Sequence, residues 1–222
     1  EGIWYTAQSG IWQSVWMEIV PEAYVQTLTL KGAADGRLFI RAEIGGDKPN
    51  AKLHIVVADP ADGTIVADEL LPAGMRKVRT EIATRAEHLW SPNDPYLYDV
   101  TATLEFGAAK SQGKQEKLQQ ESQEIQEKPA KSQEKQDIVR SYCAFRTVEI
   151  KPDLKGIARF HLNGKPVFLK GVLDQGYWPD GLLTAPSDEA LVHDITAMKE
   201  SGFTMLRKHI KIESARWYYH CD

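Results

Sequence analysis

Short runs of β-branched and aromatic residues, separated by turn signals, extend from Ser14 to Ile150. Such residues favour strands, and glycine beside aspartate or proline marks the turns between them. The pattern predicts a mainly β fold, an immunoglobulin-like β-sandwich. We predict its strands at residues 14–20, 24–30, 37–44, 52–58, 77–83, 98–106 and 138–150.

Residues 108–137 interrupt this pattern with Gln, Lys, Glu and Ser. Large apolar side chains are almost absent from the stretch, so it cannot contribute to a core. We therefore predict a solvated insertion between two strands of the sandwich.

After Ile150 the pattern changes to that of a β-α-β unit. The apolar run 167–172 predicts a strand buried on both faces of a parallel sheet. Ser187 is an N-cap signal, and the apolar spacing that follows predicts a helix ending at Gly202. A second strand at 203–206 and a helix starting near Ser214 complete the prediction.

Parallel sheets collect ligand-binding groups at the carboxyl ends of their strands. Asp174 and Trp178 follow the first predicted strand, and Arg207 and His209 follow the second. Tryptophan stacks on sugar rings, while the other three side chains can bind hydroxyl groups. The sequence thus predicts a carbohydrate as partner. The alternative is that Trp178 covers the rim of the core and Arg207 pairs with a local carboxylate.

Composition and spacing argue against several other classes of function. The net charge is −4, with 27 basic and 31 acidic residues, so no nucleic-acid partner is expected. No apolar run approaches the roughly 20 residues that a membrane span needs. Cys143 and Cys221 lack ligand spacing, and nucleotide-binding motifs are missing, so we expect neither a metal nor a cofactor. No signal peptide is visible, but the N-terminus looks truncated, so the location stays open with the cytoplasm slightly favoured.

Several short segments of the sequence, taken together, resemble motifs of one known protein family. They are Gly10 to Trp16 (GIWQSVW), Leu89 to Tyr98 (LWSPNDPYLY), Phe145-Arg146, Leu162 to Val172 (LNGKPVFLKGV), Gly202 to Arg207 with His209, and Cys221-Asp222. Together they resemble the family 2 glycoside hydrolases, a group that contains β-galactosidases, β-glucuronidases and β-mannosidases. The family's Asn-Arg-His-Glu-like run is replaced by Leu173 to Gly176, so a sugar-contacting histidine is missing there.

The resemblance implies three segments: 1–13 as the tail of a sugar-binding domain, 14–150 as the immunoglobulin-like sandwich, and 151–222 as the first β-α-β part of a catalytic TIM barrel. It also implies a retaining β-glycosidase, β-galactosidase-like, with Arg207, His209, Asp174 and Trp178 on the substrate side. A homo-oligomer of the full-length enzyme stays open.

The chain itself is predicted to be inactive. A retaining glycosidase needs two carboxylates, and in the family the acid/base is the Glu of an Asn-Glu pair. Asn50, Asn93 and Asn163 are followed by other residues, and the chain after Ile150 suffices for two of the eight barrel strands. Glu1 in place of Met and an end at Asp222 also predict part of a longer protein, with both catalytic carboxylates beyond Asp222. The alternative is a non-catalytic sandwich module that binds carbohydrate or a partner.

Overall fold

The computed structural model describes residues 6–46, 49–74, 76–106 and 136–222, and its chain divides into two compact units. The sandwich unit comprises Ile19–Leu89 and Leu97–Phe145. The βαβ unit comprises Glu1–Glu18, Trp90–Tyr96 and Arg146–Asp222. The predicted insertion lies outside the described residues, apart from its last two positions.

The sandwich unit is built from antiparallel strands. In chain order they are β1 (Tyr24–Gly32), β2 (Arg37–Gly45), β3 (Ala51–Ala58), β4 (Ile65–Pro72), β5 (Lys77–Ala83), β6 (Tyr98–Phe106) and β7 (Asp137–Cys143). One sheet has the order β1-β2-β5 and the other the order β4-β3-β6-β7. The predicted mainly β fold is confirmed, and the two antiparallel sheets are consistent with the predicted β-sandwich.

Alternating side chains of the two sheets form the core. In β3, Leu53, Ile55 and Val57 are fully buried, whereas the residues between them are partly or fully exposed. This period of two is what a strand with one buried face requires. At the end of the sandwich unit, Phe145 packs edge to face against Tyr98, with ring centroids 5.2 Å apart. Both side chains are almost completely buried.

The predicted strand at 14–20 is wrong. The segment has no strand pairing, and Val15, Met17 and Ile19 are 77%, 88% and 96% exposed. Its apolar alternation imitates a strand, but no described strand lies beside it to accept its backbone hydrogen bonds.

Sequence analysis also missed β4, in which Asp68, Glu69 and Pro72 interrupt the apolar pattern. Among the described strands β4 lies at a sheet edge and pairs with β3 alone, and edge strands tolerate charges and proline.

The predicted strand at 138–150 is two strands. β7 ends at Cys143, and β8 (Val148–Pro152) begins a different sheet. Phe145 separates them because it bridges to Gly32 and inserts into the sandwich core.

The βαβ unit holds the remaining elements. β8 is followed by β9 (Ala158–Leu162), β10 (Lys165–Pro166), β11 (Gly171–Asp174), α1 (Asp188–Glu200), β12 (Met205–Lys208) and α2 (Ala215–Cys221). β8, β9 and β10 form an antiparallel sheet, while β11 and β12 pair in parallel. The predicted β-α-β unit is confirmed. No helix in the described part of the chain has the length and hydrophobicity to cross a bilayer.

The two predicted helices of the βαβ unit are present, but its two parallel strands do not begin at the predicted residues. Ser187 caps α1 by accepting a hydrogen bond from the Ala190 amide at 3.2 Å. The first strand begins at Gly171, not at residue 167, and it is not buried on both faces, because Leu173 is 51% exposed. β11 and β12 form a sheet of only two strands, and the described elements packed around it leave part of its surface exposed. The second strand lies two residues later than predicted.

Several residues of the resemblance segments have a structural role in the βαβ unit. The Arg146 guanidinium stacks over the Trp90 ring at 4.1 Å and pairs with Asp222 at 2.9 Å. Trp90 Nε1 donates to the Asp222 carbonyl at 2.6 Å, and Asn163 Nδ2 donates to the Trp90 carbonyl at 3.0 Å. These contacts join four segments that are distant in sequence.

Candidate functional site at the carboxyl ends of two parallel strands

The register of β11 and β12 determines which side chains can act together. Leu173 lies beside Arg207, and Asp174 lies beside Lys208. Because successive side chains of a strand point to opposite faces, Arg207 lies on one face of the pair and Asp174 on the other. The four predicted site residues therefore do not form one cluster.

Arg207 is exposed, and its side chain has no hydrogen bond or ion pair with any residue in the described part of the chain. The alternative in which Arg207 pairs with a local carboxylate finds no such carboxylate among the described residues. A guanidinium offers several donors in a fixed planar arrangement, which suits neighbouring oxygen atoms of a ligand.

His209 follows β12 and is held from two sides. Its backbone amide donates to the Asp174 carbonyl at 2.9 Å, and its Nδ1 lies 3.1 Å from Gln175 Nε2. An amide nitrogen can only donate, so Nδ1 accepts and the imidazole carries its proton on Nε2. That Nε2–H is the donor through which His209 can bind a ligand oxygen.

Trp178 is half-buried and stands at the base of a tight turn. Its backbone exchanges two hydrogen bonds with Leu182, at 2.7 and 3.0 Å. Leu182 has a φ of 56°, the left-handed conformation that few residues other than glycine adopt. The turn fixes the backbone of Trp178 within the loop that follows β11.

Asp174 is committed to contacts within the chain. Its Oδ1 accepts from the Gly176 amide at 2.8 Å, and its Oδ2 accepts from Lys208 Nζ at 2.6 Å. A ligand hydroxyl would compete with both partners, so Asp174 is better placed to hold the loop than to bind a substrate directly.

Asp174 belongs to a cluster that sequence analysis missed, the buried charge network of Asp174, Lys208, Lys211 and Glu213. Lys208 Nζ and Lys211 Nζ lie 3.0 and 2.9 Å from Glu213 Oε1, outside hydrogen-bond geometry. The side chains of Lys208, Lys211 and Glu213 are only 9%, 7% and 5% exposed. Two ammonium groups and two carboxylates balance in charge, which burial of ionised groups requires.

Two aromatic rings complete the surroundings of the buried charge network. Lys208 Nζ lies 4.4 Å from the centroid of Trp217, and Lys211 Nζ lies 4.9 Å from that of Trp12. Both distances fall within the range of cation–π attraction. The residues of the network and its two rings are spread along the sequence from Trp12 to Trp217. Because no short motif contains them, the sequence does not show that they come together.

Ile210, directly after His209, has a φ of 74°. A β-branched residue in this region is a clear outlier, and such strain costs about 1–3 kcal/mol. Ile210 is 59% exposed, so burial of its own side chain does not explain the conformation. Contacts of the neighbouring residues must therefore hold the Ile210 backbone in this conformation.

A cavity of about 480 Å³ lies beside β11, lined in part by Asp174, Gln175, Tyr177 and Met198. A second cavity of about 540 Å³ beside Trp90 contains none of the four predicted site residues. Within the described residues, no group of His, Cys, Asp and Glu is arranged to hold a metal ion.

Neither cysteine is a nucleophile at neutral pH. Burial raises the pKa of the Cys143 thiol to about 12, and partial burial raises that of the Cys221 thiol, which is exposed at the surface, to about 11. Reactivity requires the thiolate, so both side chains stay protonated. They are also unpaired with each other.

Comparison with known proteins shows that the homologues of this chain are glycoside hydrolases. Those matched over most of the chain are β-galactosidases. The chain is 27% identical to that of Oenococcus oeni and 26% identical to that of Lactococcus lactis, in each case over 96% of its own length. It spans 19% and 18% of these two relatives. No family model matches.

Solved structures of similar fold come from the same group. A β-glycosidase from Bacteroides vulgatus matches 90% of the chain with a TM-score of 0.62 at 20% identity. A GH2 β-galacturonidase from Eisenbergiella tayi matches 91% with a TM-score of 0.59 at 18% identity. The chain covers 23% and 31% of these two structures. The resemblance to family 2 glycoside hydrolases is thereby confirmed.

Proposed function

We propose that this chain is part of a retaining β-glycosidase that hydrolyses O-glycosidic bonds, with β-galactosides as substrates. The observation that supports it most is the similarity to β-galactosidases over 96% of the chain. Because the chain covers only 19% of that relative, the activity is assigned to the whole protein and not to this segment.

The proposed domain order follows the same resemblance. Residues 1–13 are the tail of a sugar-binding domain, an immunoglobulin-like sandwich lies within 14–150, and 151–222 begin a (β/α)₈ barrel. The parallel pair of β11 and β12 with α1 between them supports the last assignment, since a barrel is made by repeating this unit.

Within the proposed barrel, Arg207, His209 and Trp178 contact the sugar, and Asp174 shapes the loop after β11. The unpaired guanidinium of Arg207 supports its role, because nothing in the described residues competes with a ligand. Retaining hydrolysis also needs two carboxyl groups about 5–5.5 Å apart. The chain has no Asn-Glu pair to supply the acid/base of the family, so we propose that the chain alone has no turnover.

The activity can be tested on chromogenic β-galactoside, β-glucuronide and β-mannoside substrates. We expect the full-length protein to hydrolyse the β-galactoside and the 222-residue chain to hydrolyse none of them. Turnover by the short chain would refute its inactivity. Sugar binding without turnover by the full-length protein would support a non-catalytic carbohydrate-binding module instead.

The Arg207 assignment has its own test. Arg207→Lys keeps the charge but removes the planar pair of donors, and one hydrogen bond to a charged group is worth roughly 1.5–3 kcal/mol. We therefore expect kcat/KM of the full-length protein to fall about 10- to 100-fold. The matched control is Arg159→Lys, an exposed arginine on β9 whose ion pair with Asp153 a lysine can replace. An unchanged value for Arg207→Lys would exclude direct substrate contact.

A further inference from the structure

The turn after β12 holds the least favourable backbone near the candidate site, and its own residues do not explain it. Ile210 is left-handed and exposed between His209 and Lys211. Strained residues of this kind persist only where surrounding contacts over-determine them. The contacts of Lys211 provide that constraint.

Lys211 connects its own turn to two points of the loop after β11. Its Nζ donates to the carbonyls of Gly176 and Leu183 at 2.6 and 2.8 Å, and it lies 2.9 Å from Glu213 Oε1. The side chain is only 7% exposed. A buried ammonium with two carbonyl acceptors and a carboxylate cannot move without losing them together, so Lys211 fixes the turn relative to the loop after β11.

Gly176 brings that loop directly against the buried charge network. It has a φ of +56°, and a Cβ at this position would lie 2.1 Å from Glu213 Oε1 and 3.0 Å from Lys208 Nζ. Only glycine satisfies both the left-handed backbone and this close approach. The loop and the network therefore fit together in one arrangement.

These contacts meet at His209 and Gln175. His209 belongs to the turn that Lys211 fixes, Gln175 belongs to the loop that Gly176 presses on the network, and the two side chains are 3.1 Å apart. We propose that the buried charge network is a positioning device that holds the strained turn at Ile210 and so sets the orientation of His209 toward the sugar. Lys211 and Glu213 are thus positioning residues, and their effect on sugar binding rests on the proposed function.

The test compares Lys211→Met, which keeps the length of the side chain and removes its charge, with Lys199→Met, which does the same at an exposed position on α1. In the full-length protein, we expect Lys211→Met to speed amide hydrogen exchange of residues 175–178 and 209–213 at least 10-fold. We also expect KM for a chromogenic β-galactoside to rise at least 10-fold, with a smaller change in kcat. Lys199→Met should change neither quantity.

Ile210→Gly separates positioning from a general loss of stability. Glycine adopts the left-handed backbone without strain, so it should restore part of the exchange protection and of KM in the Lys211→Met background. A merely structural lysine would give no such rescue. Glu213→Gln, which preserves shape, is the second variant, and we expect the same effects at smaller size.

Unchanged exchange in both Lys211→Met and Glu213→Gln would overturn the proposal, and so would failure of Ile210→Gly to rescue. If the wild-type protein hydrolyses no β-glycoside, the proposed function fails, while hydrogen exchange still decides whether the network positions the turn.

Discussion

Gly176→Ala tests the fit between the loop and the buried charge network by adding a single methyl group. The new Cβ would lie 2.1 Å from Glu213 Oε1, which is far inside any real contact distance. Gly156→Ala is the matched control, because Gly156 is also left-handed, with a φ of +76°, and a Cβ there meets nothing within 4 Å.

The two variants share one cost and differ in the other. A left-handed alanine costs about 1–2 kcal/mol of unfolding free energy in both. In Gly176→Ala the Glu213 carboxylate must also shift away from the new methyl group, which weakens its pairing with Lys208 and Lys211. Glu213 is too deeply buried, at 5% exposed, to move into solvent. We therefore expect Gly176→Ala to destabilise the βαβ unit by about 1–3 kcal/mol more than the control, the cost of leaving buried polar groups incompletely paired.

Urea denaturation followed by tryptophan fluorescence measures this difference. The ranges of the sandwich unit contain no tryptophan, so the signal reports on the βαβ unit even if the two units unfold separately. Equal destabilisation by the two substitutions would refute the close fit of Gly176 against the network.

Three further outcomes are expected. Phe145→Ala should destabilise the sandwich unit by roughly 3–5 kcal/mol in circular-dichroism melts, because a fully buried ring is lost; a cost below about 1 kcal/mol would contradict its place in the core. Alkylation of Cys221 at pH 8 should be about 100-fold slower in the native chain than in urea, because burial raises its pKa to about 11 from 9.0 and only the thiolate reacts; equal rates would disprove the shift. Arg216, and then His220, lower the pKa of Asp188, so its stabilisation is present above the ordinary carboxyl pKa of 3.8 and is lost as pH falls below it. In Asp188→Asn, the unfolding free energy of the βαβ unit should therefore depend less on pH in the acid range. An unchanged pH profile would count against the pairing of Asp188 with Arg216 and His220.

The sequence predicts elements well where pattern and packing agree. In β2 and β3 alternate apolar residues face the core, so period and burial coincide and the strands appear where expected. In α1 the Ser187 cap and the apolar spacing are local signals that need no partner. Residues 14–20 have the same apolar alternation without a neighbouring strand, and β4 has a neighbour without the alternation. In both cases pairing decides the outcome, and pairing is not a local property.

The site shows the same division. Parallel pairing of β11 and β12 brings the backbones of Asp174 and His209 together, because it aligns the carboxyl ends of the two strands. The carboxyl-end rule could not predict that Arg207 and Asp174 lie on opposite faces, since this depends on a strand that begins four residues later than expected. The buried charge network was missed because lysine and glutamate usually mark a solvated surface. Their burial follows from tertiary contacts with Trp12 and Trp217.

The stereochemistry of hydrolysis tests the central claim most directly. Proton NMR of the full-length protein acting on an aryl β-galactoside should show the β-anomer of galactose forming first, because a retaining mechanism inverts the anomeric carbon twice. The α-anomer forming first, or no hydrolysis of any β-glycoside, would contradict the proposal that this chain is part of a retaining β-glycosidase.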